Sequence, residues 1–375
     1  MTTAGGGVPR PWALLAELTH LCPLRCPYCS NPLELTRRSR ELDTAQWRDV
    51  LRQAGELGVV QTHLSGGEPL LRTDLAEIVE AAESAGVHTQ LVTSGVGLDE
   101  ERLAGLAAAG LRSVQLSVQH ADAQASDRIA GSRSYEAKER AAALVREAGL
   151  PLGLNVVLHR DNLDAVDALV ERGLDWGADR IELAGAQYYG WALRNRAALL
   201  PGAAQLARAE RRVRWWRERL AGRVELVWVA SDHFGGVPKP CMGGWGEVSL
   251  TVTPDGTVLP CPAAAVLPGL DAPSVLTRPL AWIWEHSPAF GRFRGTDWMR
   301  EPCRACPRRE EDFGGCRCQA YALTGDAARA DPACRLSPDH GLVRAAVAGA
   351  EAADAEGSRP GYVYRAAPSG KRTRA

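Results

Sequence analysis

The run Leu14-Leu15-Ala16-Glu17-Leu18-Thr19-His20-Leu21-Cys22-Pro23-Leu24-Arg25-Cys26-Pro27-Tyr28-Cys29 decides how the rest of the chain is read. Its first six residues are short and apolar and predict a strand; the three cysteines follow where that strand gives way to a loop. The same alternation then repeats. Strand signals at 14–19, 59–65, 87–93, 113–118, 153–158 and 180–183 are separated by helical patterns at 44–57, 74–85, 99–109, 134–148 and 163–173. Most of these helices end at a glycine, namely Gly58, Gly86, Gly110, Gly149 and Gly173. Six strand-helix units predict a parallel sheet with right-handed crossovers, either curled into a partial barrel or left open and doubly wound.

Composition narrows the function classes. The chain has 375 residues, enough for one large domain and a smaller module, and 45% of them are hydrophobic and 24% charged, as in a soluble globular protein. Lys and Arg (44) nearly cancel Asp and Glu (45), so no basic excess suggests nucleic acid. The early apolar stretch 12–18 is short and carries Glu17, which argues against a signal peptide or a membrane span. A cytoplasmic protein is expected, and there ten cysteines favour metal ligation or redox chemistry over disulfides. Three fall at 22, 26 and 29 and seven between 241 and 334, with none in between.

The expected organisation is a flexible lead-in (1–11), a barrel (12–200), a bridging helix and strand (201–240), a cysteine-rich module (241–340) and a mobile tail (341–375) rich in Ala, Gly and Arg. The bridging helix carries Arg208, Arg211, Arg212, Arg214, Arg217 and Arg219. They could dock an acidic peptide, but a solvated face is the ordinary explanation of such a pattern.

Three thiolates as close as Cys22, Cys26 and Cys29 can ligate three irons of a 4Fe-4S cube and leave the fourth iron open to a ligand. The competing reading is zinc, which His63 or His88 could complete. C-x3-C-x2-C with an aromatic residue before its last cysteine, after the first strand of a β/α array, resembles the radical S-adenosylmethionine (SAM) superfamily over roughly residues 12–195. Ser65-Gly66-Gly67-Glu68-Pro69-Leu70 after the second strand resembles that family's GGE motif, in which backbone groups bind the SAM amino group. Side-chain-free glycines suit such a close approach. The resemblance implies a partial (β/α)6 barrel and SAM contacts from Tyr28 (adenine), Ser117 and Gln119 (ribose or carboxylate) and Arg128 (carboxylate). Thr93-Ser94-Gly95 and Asn155 are weaker candidates.

The second group reads Cys241-x19-Cys261, then Cys303-x2-Cys306-x5-Asp312-x3-Cys316-x-Cys318-x15-Cys334. Two zinc ribbons would suit an isolated module of this kind. Beside a radical SAM core it resembles the SPASM extension, whose usual pattern is C-x2-C-x5-C-x3-C and a distant cysteine; here Asp312 stands where the third cysteine is expected. The resemblance implies two auxiliary iron-sulfur clusters, a 4Fe-4S and a second that is either 4Fe-4S or 2Fe-2S. Eight ligands are then needed and seven cysteines are present, so Asp312 supplies the eighth. The family's interleaved connectivity gives Cys241, Cys261, Cys316 and Cys318 to one cluster and Cys303, Cys306, Asp312 and Cys334 to the other. Within the alternative of a zinc scaffold the protein would not be an enzyme.

The whole sequence to about residue 340 is similar to a peptide-cyclising branch of the family, through the run 20–29, Gln187-Tyr188-Tyr189-Gly190-Trp191-Ala192, Lys239-Pro240-Cys241-Met242-Gly243-Gly244-Trp245-Gly246 and Asp312. That similarity implies a carbon-carbon bond between a Glu and a Tyr side chain of one precursor peptide, made through a 5′-deoxyadenosyl radical. It places Tyr188, Tyr189 and Trp191 along the substrate cavity. A sulfatase-maturase-like oxidase and a thioether former are the rivals within the family. The short stretch ahead of the first strand predicts that a separate small chaperone presents the peptide, and an electron donor such as flavodoxin is implied.

Overall fold

The computed structural model describes residues 8–366, so part of the lead-in and the last nine residues of the tail lie outside the described residues. Strands β1 (Ala13–Glu17), β2 (Gln61–Ser65), β3 (His88–Thr93), β4 (Ser113–Val118), β5 (Leu152–Leu158) and β6 (Arg180–Gly185) run parallel, each beside its predecessor. β7 (Glu225–Val229) extends the sheet beyond β6, and β8 (Ser249–Val252) joins the other edge parallel to β1, with β9 (Val258–Leu259) antiparallel to it. The two edges do not meet. The six-strand core is thus a barrel left open, which resolves the choice between curled and flat arrangements.

Alternation along the strands shows why it curls. One face carries Leu14, Ala16, Leu64, Leu91, Val114, Leu116, Leu154, Val156, Ile181 and Leu183, all buried. The other carries Gln61, His63, Ser65, Gln90, Gln115, Ser117, Asn155 and Glu182. A parallel sheet covered on both sides would be apolar on both. Here only the first face packs on helices, and the polar face surrounds a lumen.

The covering helices are α1 (Thr44–Leu57), α2 (Leu75–Ser84), α3 (Glu100–Ala108), α4 (Ala123–Ala130), α5 (Tyr135–Glu147) and α6 (Val166–Asp175). α1 is capped by Asp43: Asp43 Oδ1 accepts from Gln46 N, and Gln46 Oε1 accepts from Asp43 N, both at 2.9 Å. α4 is absent from the sequence reading because it is only eight residues long and its buried face is Ser126, Ile129 and Ala130, with a single large apolar side chain.

The six arginines of the helix Ala203–Leu220 are exposed, and three of them are engaged by neighbouring parts of the same chain. Arg208 pairs with Asp164 at 3.1 Å, Arg212 with Asp167 at 2.8 Å, and Arg217 Nε donates to Leu226 O at 3.0 Å. The tail differs from expectation. Residues His340–Ala355 form a helix, and the segment that follows lies against the cysteine loop, with Arg365 buried.

Candidate functional site

Parallel strands bring their C-terminal ends to one edge, where loops from different strands converge. The loop after β1 carries Cys22, Cys26 and Cys29 and is fastened to α4: Arg25 N donates to Ala130 O at 2.8 Å, and Arg25 Nη2 donates to Gly131 O at 2.6 Å. The three cysteines open on a cavity of about 340 Å³ with Tyr28, Asn31, Gly66, Gly67, Ser117, Gln119, Asn155, Gln187 and Tyr189 on its wall. The cavity lies within the size range of small-molecule sites.

The two glycines are there because nothing larger fits. A Cβ on Gly67 would lie 2.1 Å from Leu21 O, and one on Gly66 2.3 Å from Thr19 O, with Gly66 at φ +123°. Their loop is stitched to the loop after β1, as Gly67 N donates to Thr19 O and Glu68 N to Leu21 O. With the Gly67 amide engaged, this turn has carbonyls to offer a ligand, as an amino group requires. The Glu68 side chain is fully buried and serves the scaffold. It accepts from Thr93 Oγ1 (2.6 Å), Ser94 N (2.8 Å), Ser94 Oγ and Leu70 N (3.1 Å), and burial outweighs these bonds to raise its carboxyl above the ordinary value. Thr93 and Ser94 therefore line the cavity with their hydroxyls already engaged.

Burial dominates the thiols. It pushes Cys26 up to about 12 and Cys22 up to about 11, with the neighbouring thiolates adding to the rise at Cys26, and it raises Cys29 too. Thiols held this way remain protonated until a metal displaces the protons. Burial also lifts the Tyr28 phenol well above its usual value, with Gln119 opposing through a hydrogen bond. Two cavity-lining amides are unsatisfied among the described residues: Gln119 Oε1 and Asn31 Nδ2 are buried without a partner. Buried polar atoms are ordinarily paired, so these point to a polar ligand. Neither His63 nor His88 reaches the cavity wall, which removes the histidines that would have completed a zinc site.

Not every expected residue is in place. Arg128 is off the wall; its Nη1 donates to Asp161 Oδ2 at 3.0 Å, so an acid on the loop after β5 takes the charge meant for a carboxylate ligand. Tyr188 and Trp191 are also off the wall, although both are buried. Tyr188 packs edge-on to His233 at 4.6 Å and Arg194 stacks on Trp191 at 5.4 Å, so among the three aromatic candidates Tyr189 alone faces the cavity. Sequence reasoning missed Asn31, Gln115, Gln187 and Lys138. Lys138 is fully buried, with Nζ 3.3 Å from Ser94 O, and its signal was a lone lysine on the apolar face shared with Ala141, Ala142 and Val145.

The later cysteines gather in two groups. Cys241, Cys261, Cys316 and Cys318 adjoin one another, with Cys261 Sγ 3.9 Å from Cys318 Sγ. A hydrogen bond to Cys261 pushes Cys241 up to about 12. Cys303, Cys306, Asp312 and Cys334 line a second, smaller cavity, where burial pushes Cys303 up to about 11. Asp312 is 8% exposed, whereas the side chains of Glu310 and Glu311 are 74% and 63% exposed and paired to Arg309 and Arg308. It is therefore no solvated member of an acidic run. Asp331 is buried nearby, but its oxygens already accept from Cys316 N (2.7 Å), Gln319 Nε2 (2.8 Å) and Ala333 N (2.9 Å). Among the described residues no three His, Cys, Asp or Glu side chains converge tightly enough for a single metal ion. The fit for multi-iron groups rests instead on the three separate thiol gatherings.

A larger groove of about 580 Å³ on the surface beside α1 contains no cysteine, and its Arg52 is paired with Asp49 and Glu56. The chemistry belongs to the strand-end cavity.

An open parallel barrel with a C-x3-C-x2-C loop over a polar lumen, followed by a cysteine-rich extension, defines a radical SAM enzyme. The radical SAM superfamily matches residues 16–173, and an iron-sulfur cluster-binding SPASM domain matches residues 241–307. SuiB of Streptococcus suis, solved bound to S-adenosylmethionine, superposes with a TM-score of 0.72 at 19% identity, covering 87% of this chain and 77% of SuiB. The same protein bound to its precursor peptide SuiA superposes with a TM-score of 0.71 at 18% identity, covering 87% of this chain and 76% of SuiB. In sequence, the chain is 58% identical over 362 residues to a PqqA peptide cyclase of Streptomyces rochei, covering 96% of this chain and 98% of that one. It is 53% identical over 356 residues to the PqqA peptide cyclase of Methylocella silvestris, covering 95% of each. The chain belongs to the PqqA peptide cyclase family: it is a SAM-binding oxidoreductase with a SPASM iron-sulfur domain.

Proposed function

We propose that this enzyme acts on the PqqA precursor peptide of pyrroloquinoline quinone and joins a glutamate side-chain carbon to a tyrosine ring carbon. The carrying observation is the cavity at the strand ends, where three cysteines, two amides each with one unpartnered buried atom among the described residues, and Tyr189 share one wall. The substrate follows from near full-length similarity to PqqA peptide cyclases. Cys22, Cys26 and Cys29 would hold a 4Fe-4S cluster; Cys241, Cys261, Cys316 and Cys318 would hold one auxiliary cluster, and Cys303, Cys306, Asp312 and Cys334 the other. When bound, the first cluster and SAM supply a 5′-deoxyadenosyl radical for hydrogen abstraction.

The chain's own residues bind and orient. Backbone carbonyls of the Gly66-Gly67 turn would accept from the SAM amino group, Gln119, Asn31, Ser117 and Asn155 would satisfy its remaining polar groups, and Tyr28 would serve the adenine. Tyr189 faces the peptide. The polar lumen is closed behind by the apolar face of the sheet, which keeps bulk water from the reacting carbon. Forming the bond would remove two hydrogens from the peptide: one as a hydrogen atom passed to the 5′-deoxyadenosyl radical to give 5′-deoxyadenosine, the other as a proton and an electron, and the later cysteines with Asp312 would hold centres able to accept that electron. A small chaperone in trans presents the peptide, a flavodoxin-like donor supplies the starting electron, and the enzyme works in the cytoplasm. Among the described residues no helix is long and apolar enough to cross a membrane.

The test is anaerobic turnover of PqqA with SAM and a strong reductant, with and without the chaperone, read by mass spectrometry. A peptide two hydrogens lighter, with Glu and Tyr linked in its fragments, is expected. A thioether or an oxidised side chain would replace this reading with another member of the family.

A further inference from the structure

Tyr362, Val363, Tyr364 and Arg365 lie across the cysteine loop. Val363 pairs through its backbone with the Asn195 amide: Val363 N donates to Asn195 Oδ1 at 2.7 Å, and Asn195 Nδ2 donates to Val363 O at 3.0 Å. The same Nδ2 is 3.0 Å from Pro27 O, between two of the loop's cysteines. Tyr364 OH donates to Arg128 O at 2.6 Å, and Arg25 of the loop stacks over the Tyr364 ring at 5.7 Å. The ring rests on Gly131, where a Cβ would meet it at 2.9 Å.

Arg365 goes deepest, at 6% exposure. Its Nη2 donates to Leu24 O at 2.8 Å and to Cys22 O at 3.4 Å. Its Nη1 is buried without a partner among the described residues, and no ion pair to a carboxylate is formed there. A guanidinium keeps its charge under all conditions a protein meets, and burying one uncompensated is costly. Negative charge must come from elsewhere, and the guanidinium is held at the Cys22 and Leu24 carbonyls, on the loop that carries the three cysteines.

We propose that residues 362–365 form a strap that fixes the cysteine loop, with Arg365 as a positioning residue that holds the Cys22 and Leu24 carbonyls and sets a permanent positive charge beside the cluster. The charge half rests on the cluster reading of Cys22, Cys26 and Cys29; the strap half does not. Removing the cation makes the cluster harder to reduce, because nearby positive charge favours the electron-rich state.

The test compares full-length, anaerobically purified wild type with Arg365→Ala, Arg365→Lys and, as a control on the same segment, Arg359→Ala. Arg359 is half-exposed and pairs with Asp354 and Asp161. In Arg365→Ala, hydrogen exchange at the amides of residues 22–31 is expected to quicken about tenfold or more, as loss of charged hydrogen bonds predicts. Arg359→Ala leaves those amides unchanged. Unaltered exchange in Arg365→Ala, or equal acceleration in Arg359→Ala, overturns the strap.

In the reconstituted proteins, the electron paramagnetic resonance signal that responds to added SAM is titrated. Its midpoint moves to more negative potential in Arg365→Ala and part of the way back in Arg365→Lys, which keeps the charge and loses the fork. Equal potentials in wild type and Arg365→Ala overturn the charge half. A wild type without any SAM-responsive cluster defeats the cluster reading and the charge half together, while exchange still decides the strap. If Arg365→Ala does not fold, Arg365→Lys carries the exchange test: intermediate acceleration supports the strap and none overturns it.

Discussion

The cysteines after β1 and those between 241 and 334 differ in what surrounds them. The first three sit on a loop over a roomy cavity, beside buried amide atoms that have no partner. The other seven, with Asp312, divide into two sets of four in close quarters, where the neighbouring Asp331 is fully occupied by amide donors. One end of the chain is built with a position to spare; the other is built complete. On the proposed reading that contrast would separate a centre that binds a small molecule from centres that pass electrons, and it can be attacked at either end.

The largest effect is expected at the open end. Cys26→Ala removes one of the three proposed ligands, so formation of 5′-deoxyadenosine should cease while any iron bound at the later cysteines persists. Residual SAM cleavage in that variant would break the contrast, because the cofactor would then be served from another centre. At the closed end Asp312→Ala should lower iron content and alter the spectrum of the Cys303 site, yet leave SAM cleavage without peptide intact. Glu311→Ala, one residue away but exposed, should match wild type in all three measurements. Equal behaviour of the two variants would return Asp312 to the status of an ordinary acid. A carboxylate is a harder ligand than a thiolate, so Asp312→Cys should shift the site's potential without emptying it.

Gly67→Ala probes the open end more gently. Its Cβ would press on the Leu21 carbonyl that also accepts from Glu68 N, so the loop carrying the cysteines must move. Overpacking of this kind costs about 1–3 kcal/mol. A lower Tm and roughly tenfold weaker SAM binding are expected, the latter by equilibrium dialysis; unchanged affinity would show that the turn is only a scaffold.

Much of this was legible beforehand because period-two alternation, glycine stops and cysteine spacing are local signals. All six core strands and five of their helices fall where the pattern puts them. What the sequence hid depends on direction and distance. Tyr188 and Tyr189 are adjacent, and only one can face the cavity. Arg128 had a plausible ligand in SAM until folding brought Asp161 to it from 33 residues away. The tail was misjudged because its helix buries only Val343 and Ala350, too few for a stripe, and its anchors are backbone carbonyls and one asparagine, which leave no periodic mark.

The smallest predicted effect concerns that tail, and it sharpens the contrast by showing that the open end is held with titratable bonds. Asp161 accepts from Tyr362 OH at 2.5 Å and from Arg128 Nη1. Burial raises its carboxyl, but these two bonds outweigh it and leave the group below the ordinary value. With the folded value depressed, the stabilisation is present above the unfolded value of about 3.9 and is lost as pH falls through the folded one. Wild type should therefore exceed Asp161→Asn in Tm at neutral pH by an amount worth under about 1 kcal/mol, since the pair is partly exposed. The gap should close only below about pH 4. A gap that stays constant down to pH 3 would mean that Asp161 acts through its shape and not its charge, and that the tail's grip on the cysteine loop owes nothing to this ion pair.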